Sequence, residues 1–179
     1  DTIFAIGSTT KAFTSALIGM LVDEGKLGWD DLVIQYIPEF ELYDDWVARH
    51  VTVRDLLCHR LGLERAQKIY YHRGYDQREL MRRMKYLKPA VGFRTGFNYA
   101  NQQYGVAGLL VEAVTGKSWD DFITERIFNA LNMSRSFSGH DRINDNKNFA
   151  SPHAVLDETY PAGVRFLGEM SAIENFKLT

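Results

Sequence analysis

The sequence predicts an α+β fold to which this chain contributes mostly helices. Across the middle, a capping residue, apolar residues at helical spacing and a closing Gly or Pro recur several times. Strand signals are thin and lie near the ends. A helical body with two ragged edges reads as one part of a larger α+β arrangement. With 179 residues, 45% of them apolar, the chain is long enough for one packed core. A net charge of −2 argues against a general nucleic-acid or acidic-membrane binder, and the apolar content argues against disorder. The single cysteine, Cys58, cannot form an internal disulfide, and no Cys/His spacing suggests a metal site. No apolar run reaches the roughly 18 residues that a membrane span needs, so none is expected.

The strongest helix is expected over residues 8–24, with Phe13, Ala16, Leu17, Met20 and Leu21 inward and Gly25 as its stop. Asp30 or Asp31 can start a short helix through Leu32 and Tyr36, ended near Pro38. Thr52 and Asp55 form a capping box for a short helix carrying Leu56 and Leu57, closed by Gly62. Asp76 and Glu79 repeat the device, with Leu80, Met84 and Leu87 on one face and Pro89 as the stop. A loop follows over 92–98. Asn101 is expected to cap a helix through Val106, Leu109, Leu110 and Val114, ended by Gly116. Ser118 and Asp121 open another, with Phe122, Ile123, Ile127, Phe128 and Leu131 inward. Beyond it, short strands are expected near 134–138 and 164–167.

The chemistry concentrates in two short motifs. In Ser8-Thr9-Thr10-Lys11, the i, i+3 spacing on a helix lets the Ser8 hydroxyl and Lys11 amine approach each other. Serine is a poor nucleophile unless a neighbour takes its proton. Lysine can do so when burial or a nearby cation lowers its pKa, and Phe4, Ile6 and Phe13 could supply burial. The helix N-terminus favours negative charge near Ser8, and the Ser8 backbone N–H could help to hold an oxyanion. The alternative is an N-capping serine followed by a solvent-facing lysine. In Tyr99-Ala100-Asn101, just before a helix, the phenol and the amide can point into one cleft. Near a lysine, a tyrosine can be driven toward phenolate and act as a base, while the amide can bind a substrate or the lysine. The alternative is an ordinary tyrosine beside an asparagine helix cap.

Together these motifs, with the stretch Val51-Thr52-Val53-Arg54-Asp55-Leu56-Leu57-Cys58-His59-Arg60-Leu61-Gly62-Leu63 between them, resemble the serine β-lactamase/penicillin-binding-protein superfamily. The branch most similar is the class C β-lactamase-related serine hydrolases. The likeness extends through Tyr104-Gly105-Val106-Ala107-Gly108 and Leu131-Asn132-Met133, and covers residues 1–163. It implies a β-lactamase/transpeptidase-like fold, with this chain mostly the helical domain and most of the sheet missing. Residues 1–179 then form one partial domain, with 164–179 a divergent end. It also implies an acyl-enzyme hydrolase. Ser8 would attack an amide or ester of a small molecule or peptide. Lys11 and Tyr99 would share the proton transfer, and Asn101 would position the substrate. No cofactor or metal is implied. A D-alanyl-D-alanine carboxypeptidase or penicillin-binding protein is the second enzymatic reading. A catalytically inactive remnant or binding scaffold is the third.

The family's third motif, K-T-G or H-x-G, does not occur in these residues, so low activity is expected from them alone. The first residues read like the middle of a domain and show no Lys/Arg-led apolar leader. The resemblance suits a periplasmic or secreted setting, while the oligomeric state is open. Outside the motifs, His59 is expected to make a structural hydrogen bond. Cys58 is expected to be a small buried group on the inner side of its helix. Arg78, Arg82, Arg83, Lys85 and Lys88 are expected on a solvated face. Asn132-Met133-Ser134 matches a glycosylation sequon. Tyr70, Tyr71 and Tyr75, with the loop from Phe93 to Phe97, could line an apolar acyl pocket.

Overall fold

The computed structural model describes residues 2–65, 75–138, 148 and 150. Six α-helices occur among them: α1 (Thr10–Asp23), α2 (Asp45–Ala48), α3 (Val53–Leu57), α4 (Gln77–Arg83), α5 (Asn101–Thr115) and α6 (Trp119–Ile123). The organising element is α5, which packs against α1, α3, α4 and α6. It is buried almost all the way round, from Gln102 to Ala107 and again at Leu109, Leu110 and Val111. A helix with apolar residues on every side belongs inside a body, which is where this one lies. Gly116, at φ 70, ends it in the left-handed cap that glycine adopts without steric cost.

Sequence capping rules account for most helix starts. Thr52 and Asp55 cap α3 reciprocally: the Thr52 hydroxyl accepts the Asp55 N–H, and the Asp55 carboxylate accepts the Thr52 N–H. Asp76 caps α4 and Ser118 caps α6. Two caps differ from expectation. Ala100, not Asn101, occupies the cap of α5, and Asn101 is its first helical residue. Near Asp31 only a single 3₁₀ turn forms, Val33–Gln35. There the Asp31 carboxylate accepts the Gly28 N–H and the Tyr36 hydroxyl instead of starting a helix.

The serine helix also starts later than expected. A 3₁₀ turn, Gly7–Thr9, precedes α1, so Ser8 stands one turn ahead of the α-helix proper. The inward face of α1 is Thr10, Thr14, Leu17, Ile18 and Leu21. Of the other residues expected inward, Ala16 is exposed and Phe13 and Met20 are half-buried. They line an apolar groove with Ile127, Ala130 and Leu131. The apolar stripe on α1 is wide enough to serve two faces, and periodicity alone does not rank them.

Leu131, expected inward, is 66% exposed. The chain passes from α6 into a π-helical turn, Thr124–Phe128. The bonds Asn129 N–H to Thr124 O and Met133 N–H to Phe128 O each span five residues. That wider turn breaks the 3.6-residue phase, keeping Ile127 and Phe128 buried and turning Leu131 out. Cys58 is likewise exposed rather than inward. It falls just past the last residue of α3, and His59 at φ 56 then takes the chain away in the left-handed region. The helix therefore closes at His59, before Gly62. Gly62 serves another purpose: a Cβ there, at φ +75, would lie 2.1 Å from the Val91 carbonyl oxygen.

Among the described residues, pairing of extended chain is slight. Single bridges join Leu32 to Thr52 and Leu63 to Pro89. Near the start, the Ile3 N–H donates to Asn148 O and the Ala150 N–H donates to Ile3 O. The strand expected over 134–138 is not formed, because the Ser136 N–H turns back to Met133 O at 3.0 Å. The strand expected over 164–167 lies outside the described residues. The basic run on and after α4 is matched by acids, with Arg78 on Glu39, Lys85 on Glu41, and Arg83 on Glu79. Exposed pairs of this kind contribute about 0–1 kcal/mol each, so they orient α4 more than they hold it.

Candidate active site

Ser8, Lys11 and Tyr99 converge. The Ser8 Oγ lies 2.6 Å from the Tyr99 hydroxyl, across 91 residues of chain. Lys11 Nζ donates to Ser8 Oγ at 3.2 Å, within the i, i+3 reach of one helical turn. The serine hydroxyl thus stands between an ammonium and a phenol.

The burial of Lys11 is not of the expected kind. Phe4 and Ile6 are exposed. The ammonium lies instead over two ring faces, 4.8 Å from the centroid of Tyr99 and 5.5 Å from that of Tyr104. Such contacts are worth about 0.5–2 kcal/mol, depending on desolvation. Tyr104, one turn into α5, is itself fixed by donating its hydroxyl to Leu57 O and meeting the Ser15 hydroxyl. Nothing in the sequence marks Tyr104 as part of the site beyond its place three residues after Asn101, on one helix face.

Tyr99 sits on a loop, and its neighbours hold it. The N–H groups of Asn98 and Ala100 both donate to His59, the first to its carbonyl at 2.8 Å and the second to its ring Nδ1 at 3.2 Å. The Asn98 side chain donates to Leu63 O. Upstream, the Arg94 guanidinium forks onto the Asp55 carboxylate, and the Arg60 guanidinium donates to Arg94 O. Burial of the Tyr99 ring favours the protonated phenol. The Lys11 ammonium, the Ser8 hydroxyl and the Arg65 guanidinium together outweigh burial, so the phenol ionises below its ordinary value of 10.0. Arg65 lies 5.5 Å over the same ring and was missed in the sequence, where nothing marked it off from other surface cations.

Asn101 contributes a buried side-chain oxygen that has no hydrogen-bond partner, so it does not bond Lys11. The residues expected to line an acyl pocket are described only in part. Tyr70 and Tyr71 lie outside the described residues. Tyr75 faces Arg83, and Phe93 packs on Trp46 and Arg94. Phe97 stands edge-on to the His59 ring and is 72% exposed. Among the described residues, no three His, Cys, Asp or Glu side chains gather as a metal site would need. None of the described helices is long and apolar enough to cross a membrane.

A serine one turn ahead of a helix, its lysine one turn on, and a loop tyrosine facing both occur here on a helical body of β-lactamase/transpeptidase fold. The solved penicillin-binding protein homologue from Pyrococcus abyssi, an octamer, is similar over 88% of this chain and 37% of its own, at 28% identity and a TM-score of 0.73. The D-stereospecific amidohydrolase from a Streptomyces species is similar over 72% of this chain and 42% of its own, at 26% identity and a TM-score of 0.63. The chain belongs to the Beta-lactamase family, whose model matches residues 1–169. Among curated relatives, an unguisins hydrolase from Aspergillus campestris is 34% identical over 147 residues, which is 76% of this chain and 27% of that protein. The chain therefore spans well under half the length of these relatives.

Proposed function

We propose that this chain carries the nucleophile and base of a serine hydrolase that opens an amide or ester bond through an acyl-enzyme. The observation that carries the reading is the 2.6 Å contact of Ser8 Oγ with the Tyr99 hydroxyl, with Lys11 Nζ 3.2 Å from the same oxygen. As Ser8 Oγ bonds to the substrate carbonyl carbon, its proton passes to the Tyr99 phenolate, whose charge the Lys11 ammonium stabilises. Collapse of the tetrahedral intermediate breaks the bond to the leaving amine or alcohol, which takes the proton from Tyr99. A water molecule then gives a proton to Tyr99 and attacks the acyl carbon. Ser8 departs with that proton, and the acid is released. Asn101, at the start of α5 two residues after Tyr99, positions the substrate.

The likeness to a D-stereospecific amidohydrolase supports an amide as the bond cleaved. The likeness to a penicillin-binding protein homologue supports a second reading, a carboxypeptidase that acts on peptide amides by the same steps. The test is covalent capture, in the protein that carries this chain, with a fluorophosphonate and with a fluorescent penicillin. Labelling that disappears in Ser8→Ala is the expected result. Labelling that persists in Ser8→Ala overturns the reading. No labelling by either probe favours a binding scaffold.

A further inference from the structure

We propose that His59 is a positioning residue that holds the Tyr99 phenol against Ser8, by gripping the backbone on both sides of that tyrosine. The inference rests on the reading of Ser8, Lys11 and Tyr99 as the reacting groups. Tyr99 lies on a loop, where neither helix nor sheet bonds fix its backbone. The two N–H groups that flank it end on one residue: Asn98 N–H on the His59 carbonyl, at 2.8 Å, and Ala100 N–H on His59 Nδ1, at 3.2 Å.

The imidazole also fills the space behind the phenol. Its centroid is 4.5 Å from that of Tyr99 and 5.3 Å from that of Tyr104, with Phe97 edge-on at 5.5 Å. His59 is buried. Its backbone is left-handed at φ 56, a conformation that few side chains other than His, Asn and Asp adopt readily. Three constraints thus meet at one position: an acceptor on a short arm, a flat ring, and tolerance of positive φ.

The grip depends on protonation. Nδ1 accepts the Ala100 N–H, so the ring proton is on Nε2. A second proton on Nδ1 would face one N–H with another and release Ala100. The groups that face the ring are Tyr99 from the loop, Tyr104 and Ala100 at the start of α5, and Phe97; the charge acting on it is Lys11, from α1. Burial first, and then that charge, hold the imidazole below its ordinary value of 6.5. The neutral, gripping form therefore persists through neutral pH.

The experiment compares His59→Asn, His59→Gln and His59→Leu in the protein that carries this chain. Asn places an oxygen where Nδ1 lies and accepts the left-handed backbone. Gln carries its oxygen too far along, and Leu has none. Two readings are taken on each variant. One is the rate of fluorophosphonate acylation. The other is the ionisation midpoint of Tyr99, measured as the difference in tyrosinate absorbance between each form and the same form with Tyr99→Phe.

His59→Asn is expected to acylate near the wild-type rate with an unchanged Tyr99 midpoint. His59→Gln and His59→Leu are expected to acylate about 10²-fold more slowly, the scale of an ångström-sized misplacement, with the midpoint moved up toward 10.0. If His59→Leu fails to fold, Asn and Gln decide the matter, and equal rates and midpoints in that pair overturn the inference. A folded His59→Leu that matches wild type in both readings also overturns it. Labelling that survives Ser8→Ala removes the hydrolase reading instead, while the Tyr99 midpoint still reports on the grip.

Discussion

Arg94 forks onto Asp55, its Nε 3.0 Å from Oδ1 and its Nη2 2.5 Å from Oδ2. The same carboxylate caps α3 through the Thr52 N–H. Arg94 lies five residues before Tyr99 and Asp55 four residues before His59, so the ion pair joins the two stretches that meet behind the phenol. Arg94, like His59, has a left-handed backbone, with φ 60. Removing this pair therefore reaches the site without touching it.

Arg94→Ala is expected to lower stability by about 1.5–3 kcal/mol, the range for hydrogen bonds to charged groups, toward the lower end because the guanidinium is half exposed. Urea unfolding measures the loss. A change under about 0.5 kcal/mol would show that the loop is held elsewhere.

Stability should also fall in acid through this pair. Burial raises the Asp55 pKa, but Arg94 and Thr52 outweigh it, so the folded value lies below the ordinary 3.8. A depressed carboxylate contributes stability above its unfolded pKa and loses it as pH falls through the folded one. The contribution is therefore complete above pH 3.8 and fades below it. In Arg94→Ala, the slope of unfolding free energy against pH in that acid range should flatten; an unchanged slope contradicts the assignment.

Lys11→Ala should abolish acylation with little loss of melting temperature, since the ammonium's contacts are with Ser8 and two ring faces rather than the core. Tyr99→Phe should slow acylation by about 10²–10⁴-fold, the usual worth of a general base. Thermal melts beside labelling rates separate the roles. A loss of stability in Lys11→Ala as large as that of a core truncation would mark the lysine as structural.

In the intact site, the acylation rate should rise with pH through the ionisation of Tyr99, with a midpoint below 10.0. Lys11→Met should move the Tyr99 midpoint, read from tyrosinate absorbance, upward, because the cation that favours phenolate is gone. A midpoint that stays put would assign the titration to another group.

The groove between α1 and the π-helical turn is apolar, with Phe13, Met20 and Leu131 along it, and Phe4 and Ile6 are exposed near the start of α1. Exposed apolar surface of this kind promotes association. Sedimentation at rising concentration should show self-association of these residues alone, weakened by Leu131→Glu. A clean monomer at high concentration would contradict the expectation.

Local rules made much of this chain legible. The caps at Thr52, Asp76 and Ser118, the glycine stops at Gly25 and Gly116, and the proximity of Ser8 and Lys11 depend on neighbours within one turn, which sequence records directly. The phase of Leu131 and the exposure of Cys58 were not legible. A π turn and a left-handed histidine shift the register by amounts that no apolar period encodes.

By itself the sequence determined a helical body, several of its capping residues, and the two motifs, Ser8-Thr9-Thr10-Lys11 and Tyr99-Ala100-Asn101, that mark its family. Only the tertiary structure decided that the Tyr99 hydroxyl meets Ser8, that the lysine ammonium lies over the rings of Tyr99 and Tyr104, and that His59 and the Arg94–Asp55 pair hold the loop. The physical reason is range. Hydrogen bonds within a turn are set by adjacent residues, whereas a contact across 91 residues exists only once α5 has packed against α1 and α3.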